Sequence, residues 1–200
     1  ANGQKPIITL ELGTSFERAS SITHSFVFED AQGRTWMYYT INQPYTWGKD
    51  KPHRSTGGGE IRKIEIRYEG ETWRTYGPST IVWGFMQPID DGRDGHWTNV
   101  RALCLNGILR TSRGTLLMPI AGRATVAEPK GAYWKLNRVW MLESLDDGAT
   151  WSQTYYVGGH DGLCLCEPTI IETAGGQLVC YMRVQYHTGN QLYRSDSDDF

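Results

Sequence analysis

Short runs of alternating apolar and polar residues, separated by glycine-containing turns, dominate the sequence. Few windows place apolar residues three and four positions apart over the length of a helix, so the pattern predicts almost no helix. Residues 22–28 and 35–40 are rich in β-branched and aromatic residues and flank the polar turn at 29–33. The pattern therefore predicts a β-hairpin near the start of an all-β chain.

The same hairpin pattern occurs three times. Its turn glycine is Gly33 in the first copy, Gly114 in the second and Gly176 in the third, with β-rich runs on both sides of each. Long repeats built from strands are typical of the blades of a β-propeller. We expect each of these hairpins to form the inner two strands of a blade.

A second motif, S-x-D-x-G-x-T-W, interleaves with the first and occurs in full at 144–151. Its last three fixed residues recur at 70–73, and its first two recur at 197–199. In such a turn Asp accepts backbone N–H groups, Gly takes a positive φ, and Ser and Thr tie the ends. We expect a structural turn between the outer strands of a blade, with Trp73 and Trp151 packed beneath it as anchors.

Together the two repeats divide the chain into about three blades. Blade one is expected at about 18–78, blade two at about 97–157 and blade three from about 163. Known propellers need about four to eight blades to close, and an open array exposes edges that soluble proteins avoid. We therefore interpret 1–200 as a partial β-propeller whose remaining half is a partner not contained in this chain. Residues 41–60 and 84–99 are expected to be long polar loops.

Charge and hydropathy exclude two classes of partner. The sequence has 22 acidic and 20 basic residues, which give a formal net charge of −2 and no basic face for nucleic acid. No apolar run reaches the roughly 18 residues of a membrane-spanning helix, so we expect no membrane partner.

A first residue other than Met is compatible with a removed signal peptide, and we expect a secreted or periplasmic protein.

The four cysteines fit neither a zinc site nor a disulfide scaffold. Two are spaced as C-x-C and two are isolated, whereas zinc sites usually pair cysteines two to four residues apart. We expect buried free thiols, no metal site and no cofactor. The cysteines are Cys104, Cys164, Cys166 and Cys180.

The Asp-containing turn, its partial copies and the glycine hairpins resemble the Asp-box propellers of the sialidase (neuraminidase) superfamily. The segment 167–183 strengthens the resemblance, because Glu167, a hydrophobic strand, a glycine turn and a strand ending in Arg183 follow one another as in that family. The resemblance implies an all-β propeller of the sialidase type, six-bladed when complete. It also implies an exo-sialidase that hydrolyses terminal sialic-acid-like sugars of a glycan substrate.

The resemblance assigns roles to individual residues. Glu167 would activate a tyrosine nucleophile, and Arg183 would be one of three arginines that bind the substrate carboxylate. A neutral tyrosine avoids the repulsion between a carboxylate nucleophile and an acidic sugar, and arginine binds a carboxylate through two parallel hydrogen bonds. Asp50 lies near the position of the family's acid/base aspartate. The tyrosine and the third arginine would lie beyond Phe200.

One departure from the family pattern opens alternatives. The R-I-P tripeptide that supplies the first arginine is replaced by Thr23, His24 and Ser25, with Arg18 as the nearest upstream arginine. On the same scaffold, His24 would be a general base in a uronate-directed polysaccharide lyase or another glycosidase. A non-catalytic carbohydrate-binding propeller is the third alternative.

Further substrate contacts are expected in loops next to the inner strands. His160 and Asp161 precede the third inner strand, and Trp47 and Trp83 lie in or beside loops, where they are candidate platforms for sugar rings. Two other tryptophans, Trp36 and Trp140, lie within predicted strands and are expected in the core.

Overall fold

A computed structural model describes residues 21–42, 59–83, 89–90, 96–97, 107–122, 138–158, 163–185 and 191–197. This part of the chain contains thirteen β-strands and no helix. All its strand pairs are antiparallel. The expected all-β fold is therefore confirmed for the described residues.

The strands form three large sheets, each built from consecutive strands. Sheet one has the order β1-β2-β3-β4, namely β1 (Ser21–Glu29), β2 (Thr35–Asn42), β3 (Gly59–Glu69) and β4 (Thr72–Trp83). Sheet two has the order β7-β8-β9-β10, namely β7 (Leu109–Arg110), β8 (Leu116–Gly122), β9 (Arg138–Ser144) and β10 (Ser152–Gly158). Sheet three has the order β11-β12-β13, namely β11 (Cys164–Glu172), β12 (Leu178–Gln185) and β13 (Leu192–Ser197).

A short strand pair lies within 84–99, where the sequence predicts only a loop. It consists of β5 (Ile89–Asp90) and β6 (His96–Trp97). The pairing is too short for a hydrophobic alternation to show in the sequence. The exact limits of the three blades stay predictions.

The glycine turns have the same geometry in all three sheets. In each, the glycine N–H donates to the carbonyl of the first turn residue, which is Asp30, Thr111 or Thr173. The φ angles of Gly33, Gly114 and Gly176 are 75°, 86° and 83°, a left-handed conformation that favours glycine. The predicted repeated hairpin is confirmed.

The first turn residue of sheet one, Asp30, is a buried carboxylate that the sequence did not single out. It accepts hydrogen bonds from the backbone of Gln32 and Arg34, from the Arg34 side chain and from the Trp36 indole. Burial acts to raise the pKa of Asp30, but the hydrogen bonds from Trp36 and Arg34 outweigh it and hold the pKa below its usual value. Asp30 thus fixes this turn.

The full S-x-D-x-G-x-T-W motif forms the turn between β9 and β10. Asp146 accepts the Thr150 N–H at 2.8 Å, the Thr150 hydroxyl at 2.6 Å and the Ser144 hydroxyl at 2.8 Å. The Ser144 hydroxyl oxygen in turn accepts the Gly148 N–H. Trp151 packs on the hydrophobic core with its ring edge-on to Tyr38 of sheet one. The expected turn and its tryptophan anchor are both present.

The partial copy at 70–73 behaves differently, and the expected anchoring role of Trp73 within its own blade is wrong. Here Ile66 and Tyr68 occupy the Ser and Asp positions of the motif, so the hydrogen bonds that shape the longer turn are missing. The chain instead makes a two-residue turn in which Gly70 and Glu71 both have positive φ. Trp73 pairs with Tyr68 across the strands and is 41% exposed.

The three large sheets stack face to face in chain order. The core between sheets one and two contains Tyr38, Ile61, Trp83, Met118, Ile120, Trp140 and Leu142. The core between sheets two and three contains Ala121, Val139, Leu165, Cys180, Met182 and Val184. Sheets one and three each keep one face that no other described sheet covers, which agrees with an open, partial propeller.

A recurrent carboxylate contact joins neighbouring sheets. Asp147, in the turn of sheet two, accepts the N–H of Ala31 in the glycine turn of sheet one at 2.6 Å. Glu172 of sheet three accepts the N–H of Ser112, the equivalent residue in the glycine turn of sheet two, at 2.7 Å. Both contacts satisfy a turn amide with a charged acceptor, and they fix the same edge of successive sheets.

Candidate functional site

The glycine turns and the Asp-containing turn lie at one edge of the stacked sheets, which we call the lower edge. At the opposite, upper edge, β2 ends beside the start of β3, β8 ends beside the start of β9, and β12 ends beside the start of β11. The described chain therefore stops and resumes at the upper edge on either side of 43–58 and of 123–137. Binding residues concentrate on such connections and on the strand ends that support them.

Glu167 and Arg183, the two residues taken from the sialidase pattern, lie together in the half of sheet three nearer the upper edge. The Arg183 guanidinium donates to both carboxylate oxygens, with Nε 2.5 Å from Oε2 and Nη2 2.7 Å from Oε1. The two side chains are 47% and 43% exposed, respectively. This is a bidentate arginine–carboxylate pair within reach of solvent.

A bulge in β11 brings the carboxylate to its partner. Cys166 lies opposite Arg183 and Thr169 lies opposite Tyr181, so Glu167 and Pro168 together face the single residue Met182. In a regular strand Glu167 would point to the face opposite that of Arg183. The extra residue and a left-handed φ of 50° at Glu167 redirect its side chain. Non-glycine residues in this conformation concentrate in turns and at functional positions, and Glu167 lies within a strand instead of a turn.

The backbone of Arg183 is supported from the neighbouring strand. The Cys166 thiol donates to the Arg183 carbonyl at 3.5 Å. Burial raises the pKa of Cys166 to about 11, which keeps the thiol protonated as a donor. Burial acts to lower the pKa of Arg183, but the hydrogen bond to Glu167 and the negative charge of Glu167 act in the opposite direction, and the pKa stays raised. Arg183 is therefore a permanent cation.

Three of the four cysteines confirm the expectation of buried free thiols. Cys164, Cys166 and Cys180 are buried, and none of the three forms a disulfide. Burial raises the pKa of Cys180 to about 12. Cys104 lies outside the described residues.

The remaining predicted site residues are placed only in part. Asp50, Trp47, His160 and Asp161 lie outside the described residues, as does Arg18. The backbone of His24 lies in β1, the strand of sheet one that corresponds to β11. His24 is itself the extra residue of a bulge, because Thr23 faces Thr40 and Ser25 faces Tyr39. Bulges thus occur in two inner strands at residues predicted to act on substrate.

Three further tryptophans lie in or against the core between sheets one and two. Trp140 is fully buried and Trp36 packs against the same core, as expected. Trp83 was a candidate sugar platform and is instead 6% exposed within the core between sheets one and two. Trp83 is the last residue of β4, and its side chain faces sheet two. The sequence places Trp83 beside a loop and does not indicate the sheet that covers it.

The described residues contain no group of three His, Cys, Asp or Glu side chains arranged to hold a metal ion. No helix long and apolar enough to cross a membrane occurs among them.

Solved structures of similar fold include both uncharacterised proteins and glycoside hydrolases. A protein of unknown function from Dyadobacter fermentans superposes with a TM-score of 0.60 at 16% identity, over 89% of this chain and 48% of that protein. A family 117 glycoside hydrolase from Zobellia galactanivorans gives 0.58 at 16% identity, over 90% and 53%. An endo-arabinase from Bacteroides thetaiotaomicron gives 0.54 at 12% identity, over 88% and 56%.

The chain therefore spans about half the length of each of these proteins. At these identities the likeness establishes a shared fold. No curated protein matches the sequence. The sequence does match the BNR repeat-like domain over residues 13–200, nearly its whole length. With the Asp-containing turn and the stacked antiparallel sheets in place, the chain belongs to the BNR repeat-like domain family and has the sialidase-type Asp-box propeller fold in partial form.

Proposed function

We propose that the protein is a glycoside hydrolase that removes terminal acidic sugars from glycans, with exo-sialidase-like activity. The observation that carries this proposal is the solvent-accessible bidentate pair of Glu167 and Arg183. A bulge holds the pair in the part of sheet three nearer the upper edge. The fold shared with a family 117 glycoside hydrolase and an endo-arabinase supports a carbohydrate-active role.

Arg183 is suited to bind the carboxylate of an acidic sugar. Its guanidinium already binds one carboxylate through two short hydrogen bonds, and its raised pKa keeps it charged. A substrate carboxylate offers the same planar pair of oxygens. We expect the substrate to share or replace the hydrogen bonds that Glu167 makes in the free protein.

Glu167 then supplies the general base of the reaction. Once its carboxylate is released from one hydrogen bond to Arg183, it can accept a proton from a tyrosine hydroxyl, whose oxygen attacks the anomeric carbon as the glycosidic bond breaks. We expect Asp50 to give a proton to the departing oxygen, and water then hydrolyses the bond between the tyrosine and the sugar. Sialidases use tyrosine in this role because the sugar is itself anionic. We expect the remaining half of the propeller to supply the tyrosine. Glycans outside the cytoplasm are the natural substrates of such an enzyme, in line with a secreted or periplasmic protein.

Hydrolysis of a fluorogenic sialoside by the complete protein tests the proposal. Glu167→Gln keeps the shape of the side chain and removes the base, so turnover should fall by about a hundredfold to ten-thousandfold. Glu71→Gln is the matched control, because Glu71 is exposed in the two-residue turn at the lower edge of sheet one, and it should retain full activity.

Three results would contradict the proposal and separate the alternatives. An unsaturated uronate product, seen by its ultraviolet absorbance, would indicate a lyase. Binding of sugars without turnover would indicate a carbohydrate-binding propeller. Equal turnover in Glu167→Gln and wild type would remove Glu167 from the chemistry.

A further inference from the structure

Two buried residues flank Glu167 in β11, and each constrains a different member of the Glu167–Arg183 pair. Cys166 lies opposite Arg183, directly before the bulge, and Pro168 is the second residue of the bulge. Both are buried, whereas the side chains of Arg183 and Glu167 are 47% and 43% exposed. The exposed ion pair is therefore held from below by two buried neighbours.

The Cys166 thiol fixes the main chain of Arg183. It donates a hydrogen bond to the Arg183 carbonyl at 3.5 Å, and the two side chains share a face because the residues are ladder partners. Burial raises the pKa of Cys166 to about 11, while the nearby Arg183 guanidinium acts in the opposite direction. The protonated thiol thus lies close to both the carbonyl and the guanidinium, and without it the guanidinium is less firmly directed at Glu167.

Pro168 favours the bulge over regular pairing. Proline has no N–H to donate to a ladder and occurs in sheets mainly at edges and bulges. A regular ladder continued from the Cys166–Arg183 pair would turn Glu167 to the opposite face. The proline ring also restricts the backbone of the residue before it, which here is Glu167. Pro168 therefore stabilises the register that brings the Glu167 carboxylate to Arg183.

Sheet one contains the same bulge without either residue. In β1 the bulge lies between Thr23 and Ser25, at the same distance before its turn glycine as the bulge of β11. Thr23 and Ser25 therefore occupy the positions of Cys166 and Pro168, and a threonine occupies that of the arginine. The fold can form this bulge without a thiol or a proline, so both accompany the ion pair and are not required by the architecture.

We propose that Cys166 and Pro168 are positioning residues of the candidate site, each acting through one member of the pair. Pro168 holds the Glu167 carboxylate where it acts as a base, and Cys166 holds Arg183 where it binds the substrate carboxylate. These roles rest on the proposed function, in which Glu167 acts in the chemical step and Arg183 acts in binding.

The two residues should therefore affect different kinetic constants of the complete protein. A displaced base weakens the transition state and lowers kcat, whereas weaker binding of the substrate carboxylate raises KM. Pro168→Ser introduces the residue found in the bulge of sheet one and should lower kcat for a fluorogenic sialoside by about tenfold or more, with KM nearly unchanged. Cys166→Ala should raise KM by about threefold to tenfold, as the loss of one hydrogen bond does, with kcat nearly unchanged.

Two further variants separate positioning from general effects on the fold. Cys166→Ser keeps a hydrogen-bond donor at the same place and should return KM to near the wild-type value. Cys180→Ala removes another buried thiol of sheet three, on the face that packs against sheet two, and should leave both constants unchanged. A wild-type KM in Cys166→Ala, or a fall in kcat of the same size in Pro168→Ser and Cys180→Ala, would overturn the proposal.

A measurement without substrate distinguishes this proposal from the proposed function. The bidentate contact protects the Arg183 Nε proton from exchange with water, and NMR of the free, ¹⁵N-labelled protein follows that exchange. Cys166→Ala and Pro168→Ser should each speed the exchange severalfold, and Cys180→Ala should not. That pattern would support the positioning roles even in a protein that does not hydrolyse sialosides, whereas equal exchange in all of these proteins would overturn them.

Discussion

Replacing Asp146 with alanine should destabilise the protein through the loss of one turn. The carboxylate accepts three hydrogen bonds, from the Thr150 N–H, the Thr150 hydroxyl and the Ser144 hydroxyl, at 2.6 to 2.8 Å. Hydrogen bonds to charged groups contribute about 1.5–3 kcal/mol each. Because this turn is exposed to solvent, we expect each of the three to contribute an amount at or below the lower end of that range. We therefore expect a total loss of about 2–3 kcal/mol.

Urea unfolding followed by tryptophan fluorescence measures this loss. With a slope of roughly 2–3 kcal/mol per M for a chain of this size, the midpoint should fall by about 1 M at an unchanged slope. Leu145→Ala changes the adjacent, 80% exposed residue of the same turn and should stay within about 0.5 kcal/mol of wild type. Equal midpoints for Asp146→Ala and Leu145→Ala would refute the reasoning.

The difference in the free energy of unfolding between wild type and Asp146→Ala should depend on pH in a defined direction. The hydrogen bonds from Thr150 lower the pKa of Asp146 from 3.8 to about 2 in the folded protein. A carboxyl group with a lowered folded pKa stabilises the protein fully above its unfolded pKa and loses that contribution as pH falls through its folded pKa. The gap between wild type and Asp146→Ala should therefore narrow as pH falls from about 4 to about 2. A gap that widens over this range would contradict the assignment.

Three further predictions concern contacts between sheets and the buried thiols. Asp147→Ala should speed hydrogen exchange of the Ala31 amide and cost about 1–2 kcal/mol, whereas unchanged exchange would refute the contact. Gly148→Ala places a Cβ 3.0 Å from the Tyr38 hydroxyl at a φ of 84°. At Gly33 the φ is 75° and an added Cβ has nothing within 4 Å, so Gly33→Ala should lower the free energy of unfolding by only roughly 1 kcal/mol. Urea unfolding should therefore show a larger loss for Gly148→Ala than for Gly33→Ala. The Cys180 thiol, with its pKa raised to about 12 by burial, should react with an aromatic disulfide reagent near pH 8 only after unfolding, and rapid reaction in the folded protein would contradict its burial.

The repeated turns were predictable because their determinants are local. Gly33, Gly114 and Gly176 take the positive φ that only glycine adopts easily, and each turn is closed by hydrogen bonds within a few residues. Asp146 likewise acts on residues of its own turn. Such features can be read from a single sequence.

Trp73 shows that a sequence motif does not by itself determine whether its tryptophan is buried. The motif copy at 70–73 keeps its Gly, Thr and Trp, but Ile66 and Tyr68 replace the Ser and Asp that shape the turn. The turn then shortens to two residues, and the tryptophan stays 41% exposed on the face of sheet one that points away from sheet two. Whether an anchor is buried depends on the neighbouring sheet and not on its own motif.

The candidate site was predicted as a pair of residues but not as a geometry. The sialidase resemblance selected Glu167 and Arg183, yet the bulge that aligns them depends on the register of β11 against β12. The same holds for the Asp147 and Glu172 carboxylates, whose N–H donors, Ala31 and Ser112, lie on neighbouring sheets far away in the sequence. These contacts are non-local, so no spacing along the chain indicates them.

Titration of the complete protein with sialic acid and with its methyl ester tests most directly whether Arg183 binds the substrate carboxylate. The ester keeps the sugar and removes the charge, so wild type should bind the acid more tightly by about tenfold to a hundredfold, the equivalent of a charge-assisted pair. Arg183→Gln removes one of the arginines expected to bind the carboxylate, so it should weaken that preference by about tenfold while leaving binding of the ester unchanged. Equal affinity of wild type for the acid and the ester, or an equal loss for both ligands in Arg183→Gln, would contradict the account.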